Sequence, residues 1–272
     1  MENGSGLISK VPFSSMITSN QNSKIKLVRA LLGRAKERRE ANAFVVEGVR
    51  LAEEAVNSNW SFQFVLYSDS LNERGLNLVK TLENKGIEIE NVESSLLQSL
   101  SETETSQGIL AVLDDSRLPF PDSLNFILIL DHIRDPGNLG TLLRTAAATG
   151  AQAVIVPPET TDPFAPKILR SGMGAHFRLP IQSASWESIQ AYTEGLQIYL
   201  ADMEGQSCWE TDLRQPLALI IGGEAEGASE EARKLATQKI SIPMAGNVES
   251  LNAGVAGSVL MFEVVRQRKF VG

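Results

Sequence analysis

One cysteine, Cys208, and two histidines, His132 and His176, are present among 272 residues. A single thiol excludes an intrachain disulfide, and without a Cys/His cluster no metal site is expected. No apolar run approaches the length needed to cross a bilayer, so no membrane partner is expected. The start of the chain lacks a charged segment followed by an apolar one, so secretion is not expected and a cytoplasmic setting is the economical reading. The fingerprint G-x-G-x-x-G after a first strand is missing too, which disfavours a Rossmann-type dehydrogenase or methyltransferase. No internal repeat or low-complexity segment stands out.

What is present is an ordinary globular composition, 43% hydrophobic and 21% charged, in a chain long enough for one large domain or two ordinary ones. The net charge of −8 argues against a polyanionic partner, but its distribution does not. Between Lys24 and Arg39 stand Lys24, Lys26, Arg29, Arg34, Lys36, Arg38 and Arg39 against one acid, Glu37. That segment carries +6 and the remainder −14. Such a local patch can steer a polyanion even on an acidic protein; the bland alternative is a solvated helix face.

Residues 1–16 are Gly- and Ser-containing and aperiodic, and are read as a disordered extension. Ser23 to Arg39 is predicted to form one basic helix. Strand-like and helix-like segments then alternate: strands at Ala43–Glu47, Phe62–Tyr67, Ile87–Val92 and Gly108–Leu113, and helices at Arg50–Asn57, Asn72–Asn84 and Ser94–Leu100. This alternation implies a small α/β domain over residues 17–113. Residues 114–122, with two prolines and several acids, are placed as a linker. A second α/β domain over 123–272 follows, with strands at Phe126–Leu130, Ala153–Val156, Gln197–Ala201, Leu217–Ile221 and Lys239–Ile242. Phe126–Leu130 and Leu217–Ile221 are continuously apolar, as strands buried on both faces of a parallel sheet should be. Asn252–Arg268 reads as the last helix. Gly254 and Gly257 near its start cost roughly 1 kcal/mol each against alanine, so close approach of another backbone is expected there.

Three stretches of the second domain carry chemistry. In the first, Asp131 to Arg144, strand 126–130 ends and Pro136-Gly137-Asn138 turns the chain into a helix over Leu139–Ala148. Asn138 is a candidate helix cap, and Arg144, under two turns on, is expected to reach back to make an anion site with the helix start. The neighbouring His132 is read as hydrogen-bonded and structural. The second, Ile221-Gly-Gly-Glu-Ala-Glu-Gly227, fits phosphate-loop spacing, but Ala228 stands where such a loop requires lysine, so a nucleotide triphosphatase is disfavoured. Glu224 and Glu226 could instead be charges at a helix start. The third runs from Ile242-Pro-Met to Ser250-Leu-Asn252. A flat adenine could lie against its apolar backbone, while Ser250 could be a helix cap and Asn252 a first-turn residue.

In order, spacing and identity these three stretches resemble the SpoU (TrmH-like) branch of the SPOUT RNA methyltransferases, over roughly residues 123–268. Lys167 to Ala175 also resembles a family loop; Gly223 departs slightly, since related sequences often carry Ser or Asn there. The resemblance implies a SPOUT-type parallel sheet with a C-terminal trefoil knot, a homodimer, and methylation of ribose 2′-hydroxyls with S-adenosylmethionine and no metal. It implies Arg144 as the catalytic residue, with Asn138, Glu224, Ser250 and Asn252 around it. Cofactor contacts fall on Gly222, Gly227, Ile242, Met244 and Leu251. Asn20 to Lys24, the basic helix and Phe44-Val-Val-Glu-Gly48 are similar to the small ribosomal-protein-like RNA-binding domain that precedes many such catalytic domains. Ribosomal RNA is the expected substrate. Transfer RNA, or a non-catalytic RNA-binding role on the same scaffold, are the alternatives.

Overall fold

The computed structural model describes residues 16–101, 107–224, 227–246 and 250–270. The expectation of disorder before Met16 and the role weighed for Glu226 lie outside them.

Two sheets organise the chain. The first contains β1 (Ala43–Glu47), β2 (Phe62–Tyr67), β3 (Ile89–Asn91) and β4 (Ile109–Asp114) in the order β1-β4-β2-β3. β4 is antiparallel to both its neighbours, and β2 and β3 are parallel. Around this sheet lie α1 (Ser23–Gly33), α2 (Ala35–Ala41), α3 (Val49–Asn57), α4 (Glu73–Asn84) and α5 (Ser94–Gln98). The expected single helix over Ser23–Arg39 is broken: Arg34 is extended, with φ −133° and ψ 132°, and caps the end of α1.

Residues 115–125 carry no helix or strand and lead into a parallel sheet. Its strands are β5 (Phe126–Asp131), β6 (Ala153–Val156), β7 (Ile181–Ser183), β8 (Gln197–Ser207), β9 (Leu217–Gly222) and β10 (Gln238–Ser241). They lie in the order β10-β8-β9-β5-β6-β7, every neighbouring pair parallel. The helices are α6 (Pro136–Thr149), α7 (Pro166–Gly172), α8 (Trp186–Tyr192), α9 (Glu230–Leu235) and α10 (Ala253–Phe270). The unbroken apolar runs are explained by burial on two faces. Leu128, Leu130, Leu219 and Ile221 pack with Leu139 and Leu142 of α6 and Met261 of α10. Ile127, Ile129 and Ile220 pack on the other face with Ile189 of α8 and Ala232 of α9.

β8 runs well beyond the expected Gln197–Ala201. Its pairing with β10 jumps register between Lys239 and Ile240, so Asp202 to Gly205 bow away from the ladder. Gly205 permits this crossing, because a Cβ there would lie 2.5 Å from the Ile240 nitrogen.

The two sheets meet along an aromatic seam. Phe44 lies 5.0 Å from Phe164 and Trp60 lies 5.3 Å from Phe177, centroid to centroid. Beside it the guanidinium of Arg38, only 7% exposed, donates to Asp162 at 2.6 Å and to the Leu31 carbonyl at 2.5 Å. Arg38 therefore does not belong to the exposed basic face expected from the sequence; it fastens α2 to the parallel-sheet unit. Lys24 is also engaged, held at 2.6 Å from both Glu88 and Glu90. Lys26, Arg29, Arg34, Lys36 and Arg39 remain exposed.

Candidate active site

β5 and β9 are neighbours, with Asp131 opposite Gly222, so the loops that follow them leave the sheet side by side. α10 returns to pack against α6 and β9. The polar side chains at these starts meet. Asn138 Nδ2 donates to Glu224 Oε1 at 2.5 Å. Asn252 Nδ2 donates to the same oxygen at 2.7 Å and to Asn138 Oδ1 at 2.9 Å. The Ala253 amide adds a bond to Glu224 Oε1 at 3.3 Å. One carboxylate oxygen thus ties the start of α6, the loop after β9 and the start of α10, and its charge sits where the dipole of α10 favours an anion.

The capping roles differ from those weighed in the sequence. Asp135, not Asn138, caps α6, accepting from the Asn138 amide at 2.8 Å, with Pro136 in the first helical turn. The expected turn at Pro136-Gly137-Asn138 is therefore already helix, which frees the Asn138 side chain for Glu224. Asn252 rather than Ser250 caps α10, its Oδ1 accepting from the Val255 amide at 3.1 Å. Ser250 lies exposed in the wall of the adjoining cleft.

Arg144 does not reach back to this cluster. Six residues along a helix is roughly 9 Å of rise and about 120° of rotation away from Asn138, so Arg144 falls on the solvent stripe of α6 with Thr141 and Ala148. Its guanidinium is exposed and pairs with no side chain among the described residues.

A cleft of about 450 Å³ opens between the loops. Gly222, Gly227, Ile242, Met244 and Leu251 all line it, together with Glu224, Ser250 and Asn252. Ile242–Met244 and Ser250–Asn252 lie outside helix and strand, so their main-chain groups are not consumed by a ladder. No sequence motif announces the opposite wall: Asp202 and Met203, where β8 bows out, and Arg233 of α9. Burial alone would push the Asp202 carboxyl up, but the Glu204 amide, Lys239 and Arg233 together hold it below the usual range. Lys239 and Arg233 each stand 3.0 Å from its Oδ2.

The sequence marks Asp131 only as a strand end, yet it is fully buried. Its Oδ2 accepts from the Ser229 amide at 2.6 Å, anchoring the far end of the loop after β9. A charged residue closing the run Phe-Ile-Leu-Ile-Leu was the available signal. His132 beside it adopts φ +54°. A Cβ on Gly223 would lie 2.3 Å from the His132 carbonyl oxygen, so the departure from the family pattern at 223 accompanies a backbone approach that excludes any side chain. Cys208 is buried, and burial pushes its thiol up to about 11. Among the described residues no group of three or more His, Cys, Asp or Glu is arranged to hold a metal, and no helix is long and apolar enough to cross a membrane.

Comparison with known proteins gives a consistent picture. Residues 125–262 match the model of the SpoU rRNA Methylase family, and residues 22–111 match that of the MRM3-like substrate binding domain. The 23S rRNA (guanosine(2553)-2′-O)-methyltransferase RlmP of Bacillus subtilis is 32% identical, over 91% of this chain and 98% of its own. The 23S rRNA (uridine(2479)-2′-O)-methyltransferase of Streptomyces viridochromogenes is 33% identical, over 95% of this chain and 94% of its own. Among solved structures, the SpoU methyltransferase AviRb from Streptomyces viridochromogenes in complex with AdoMet superposes with a TM-score of 0.78 at 31% identity, covering 91% of this chain and 99% of that one. An AdoMet-bound rRNA methyltransferase from Sinorhizobium meliloti gives 0.82 at 28% identity, covering 94% and 98%.

Proposed function

The chain belongs to the SpoU rRNA methylase family, and from that premise we propose that it methylates a ribose 2′-hydroxyl of ribosomal RNA using S-adenosylmethionine. The observation that carries the reading is the meeting of Asn138, Glu224 and Asn252 beside the cleft. Ribosomal RNA is preferred to transfer RNA because the Bacillus and Streptomyces relatives, which align over almost their whole length, are named as 23S rRNA enzymes.

The residues present fit the cofactor. The cleft is within the size range of small-molecule sites. Ile221, Met244, Leu251 and Leu260 give it apolar surface for a flat base, and the loop backbones at Gly222, Gly227, Ile242 and Leu251 give it polar edges. When bound, S-adenosylmethionine supplies an electrophilic methyl group on a sulfonium. The protein's own task is to hold the ribose and lower the cost of its alkoxide. Arginine stays protonated, so Arg144 is not a simple base. Arg144 is turned away from the cluster in the free chain, so its proposed role begins only when bound RNA draws its long side chain to the ribose. There, as a cation, it would lower the hydroxyl's pKa and stabilise the developing oxyanion, with a substrate phosphate taking the proton. Asn138 and Asn252 orient the ribose, Glu224 fixes both amides, and Ser250 helps to organise the loop.

Residues 17–113 are proposed as the RNA-binding domain and 123–272 as the catalytic one, joined by a linker at 114–122. Support comes from the exposed cations Lys26, Arg29, Arg34, Lys36 and Arg39. The region of the last helix, α10, is proposed to pass through a loop of the chain as a trefoil knot, which fits the return of α10 from the sheet edge to pack beneath β9. A second copy is proposed to cover the exposed apolar side chains of α10. The setting proposed is cytoplasmic.

The test is calorimetric titration with S-adenosylmethionine, followed by transfer of labelled methyl to unmodified 23S rRNA transcript. The parent should bind and transfer. Arg144→Ala should bind S-adenosylmethionine as the parent does and transfer at least about 100-fold more slowly. A folded parent that binds no S-adenosylmethionine would move the reading to a non-catalytic RNA binder.

A further inference from the structure

A second cleft, of about 420 Å³, opens where the two sheets meet. Arg39 of α2 and Arg117 of the connecting segment stand at its rim, Pro157 and Pro158 line its side, and Ser183 and Ser185 lie at its end. It shares no residue with the Asn138–Glu224–Asn252 cluster. Its floor is built at the carboxyl ends of β6 and β7, the edge of the parallel sheet that also carries Asp131 and Gly222. Open parallel sheets bind their ligands at that edge.

The cleft is cationic. Arg39 is exposed with no side-chain partner among the described residues. Arg117 is exposed and ion-paired with Asp115 at 3.2 Å, so a phosphate there would share its guanidinium with that carboxylate. Asp162, the carboxylate in the lining, is already matched by Arg38 at 2.6 Å. Two guanidiniums facing one concavity suit a phosphodiester, which the planar fork reads better than a point charge does. The cleft is also fixed relative to the candidate active site. Thr160 Oγ1 donates to the Leu130 carbonyl at 2.8 Å, and Thr161 donates through its amide to Ile133 at 3.1 Å and through its hydroxyl to Arg134 at 2.8 Å. These bonds stitch the floor to the segment that leads from Asp131 into α6.

We infer that this cleft grips the backbone of the substrate RNA next to the methylated nucleotide, with one phosphate between Arg39 and Arg117 and its nucleoside against Pro158. The inference rests on the reading of the chain as an RNA methyltransferase. β7 lies two strand positions from β5, roughly 10 Å, so a strand held there is a short step from the cluster. Arg39, which lines the cleft, belongs to α2, and α1 and α2 also expose Lys26, Arg29, Arg34 and Lys36.

The experiment is fluorescence anisotropy of the full chain with a short mixed-sequence RNA across a salt series. For Arg39→Ala/Arg117→Ala the log–log salt slope should fall by about 2, one for each cation removed from the phosphate, while calorimetric affinity for S-adenosylmethionine stays at the parent value. An unchanged slope in a folded variant overturns the inference. Should the double variant fail to fold, Arg39→Ala alone carries the test, with an expected fall of about 1. Competition by poly-L-glutamate as strong as by RNA would reassign the cleft to an acidic protein segment and overturn the RNA assignment. A parent that binds no RNA overturns both readings; one that binds RNA but not S-adenosylmethionine overturns the enzyme reading alone.

Discussion

His176 is enclosed at the seam between the two sheets, with its Nε2 donating to the Pro163 carbonyl at 2.8 Å and its Nδ1 buried without a hydrogen-bond partner among the described residues. Burial lowers its pKa from 6.5 to about 4. The unfolded chain therefore takes up a proton below pH 6.5 that the folded chain refuses until about pH 4. The folded state has its full stability from this group above 6.5 and loses it as pH falls, by about 2 kcal/mol at pH 5. His176→Gln keeps a donor for Pro163 and has nothing to titrate. Urea denaturation at pH 7.5 and pH 5 should show a smaller acid loss in His176→Gln than in the parent, by about that amount; equal losses would remove His176 as the cause. The sequence offered His176 only as one of two histidines, and nothing local announced its burial. Glu224, Asn138 and Asn252 were legible because polar residues at strand ends in Gly- and Asn-rich loops have few other uses. Their mutual bonds were not, because residues 86 positions apart met only through the sheet order. Arg144 shows the converse: its identity was legible, but its direction followed from helix rotation once α6 was seen to begin at Pro136.

At the scale of elements, α10 is shaped by its glycines. A Cβ on Gly257 would stand 2.4 Å from Leu142 Cδ2 and 3.2 Å from Ile221 Cγ1, so the helix is drawn against α6 and β9 more closely than any side chain allows. Leu142 is wholly buried and has little room to retreat. Overpacking of this kind costs about 1–3 kcal/mol, more than the roughly 1 kcal/mol of helix propensity regained on replacing glycine. Gly257→Val is expected to destabilise by about 2 kcal/mol. Gly33→Ala, at the end of α1 where nothing lies within 4 Å, should be neutral or slightly stabilising. Denaturant midpoints of the two variants check this, and a stabilising Gly257→Val would refute the close approach. The pair of glycines already implies such an approach in the sequence, because their propensity cost needs an explanation. The break between α1 and α2 has no such signal. The local pattern favours one helix, and Arg38, by its position one more cation of a basic face, turns inward to Asp162, a partner 124 residues away. The extension of β8 is likewise hidden, since Asp202 to Gln206 have no strand-like alternation, β9 pairs no further than Leu200, and β10 takes up the pairing again only at Gln206.

At the scale of the whole molecule, α10 buries one face and exposes the other. Phe262 is 55% exposed, Val255 49% and the neighbouring Trp209 48%. Trp209, Val259 and Phe262 line one shallow depression with Glu263 and Arg266. The Arg266 guanidinium, 2.7 Å from Glu263, outweighs the burial of that carboxyl and holds it below the usual range, so the charges flanking the patch are already paired. Large side chains exposed together mark an interaction surface. A single helix presenting them can meet its own copy about a two-fold axis, the commonest closed symmetry, in which each residue serves both partners. A stable pair needs roughly 800 Å² from each, which this patch can supply only together with the surface around it. Aromatic side chains at the centre of such an interface carry much of its energy. Phe262→Asp would set two carboxylates into the apolar contact and should raise the dimer dissociation constant at least about 100-fold, roughly 3 kcal/mol. Light scattering coupled to size exclusion reads the result directly. A parent dimer converted to monomer by Phe262→Asp, with S-adenosylmethionine affinity retained, would fix α10 as the interface. A parent that is monomeric at micromolar concentration would sink the dimer, and an unchanged dimer in the variant would place the interface elsewhere on the molecule.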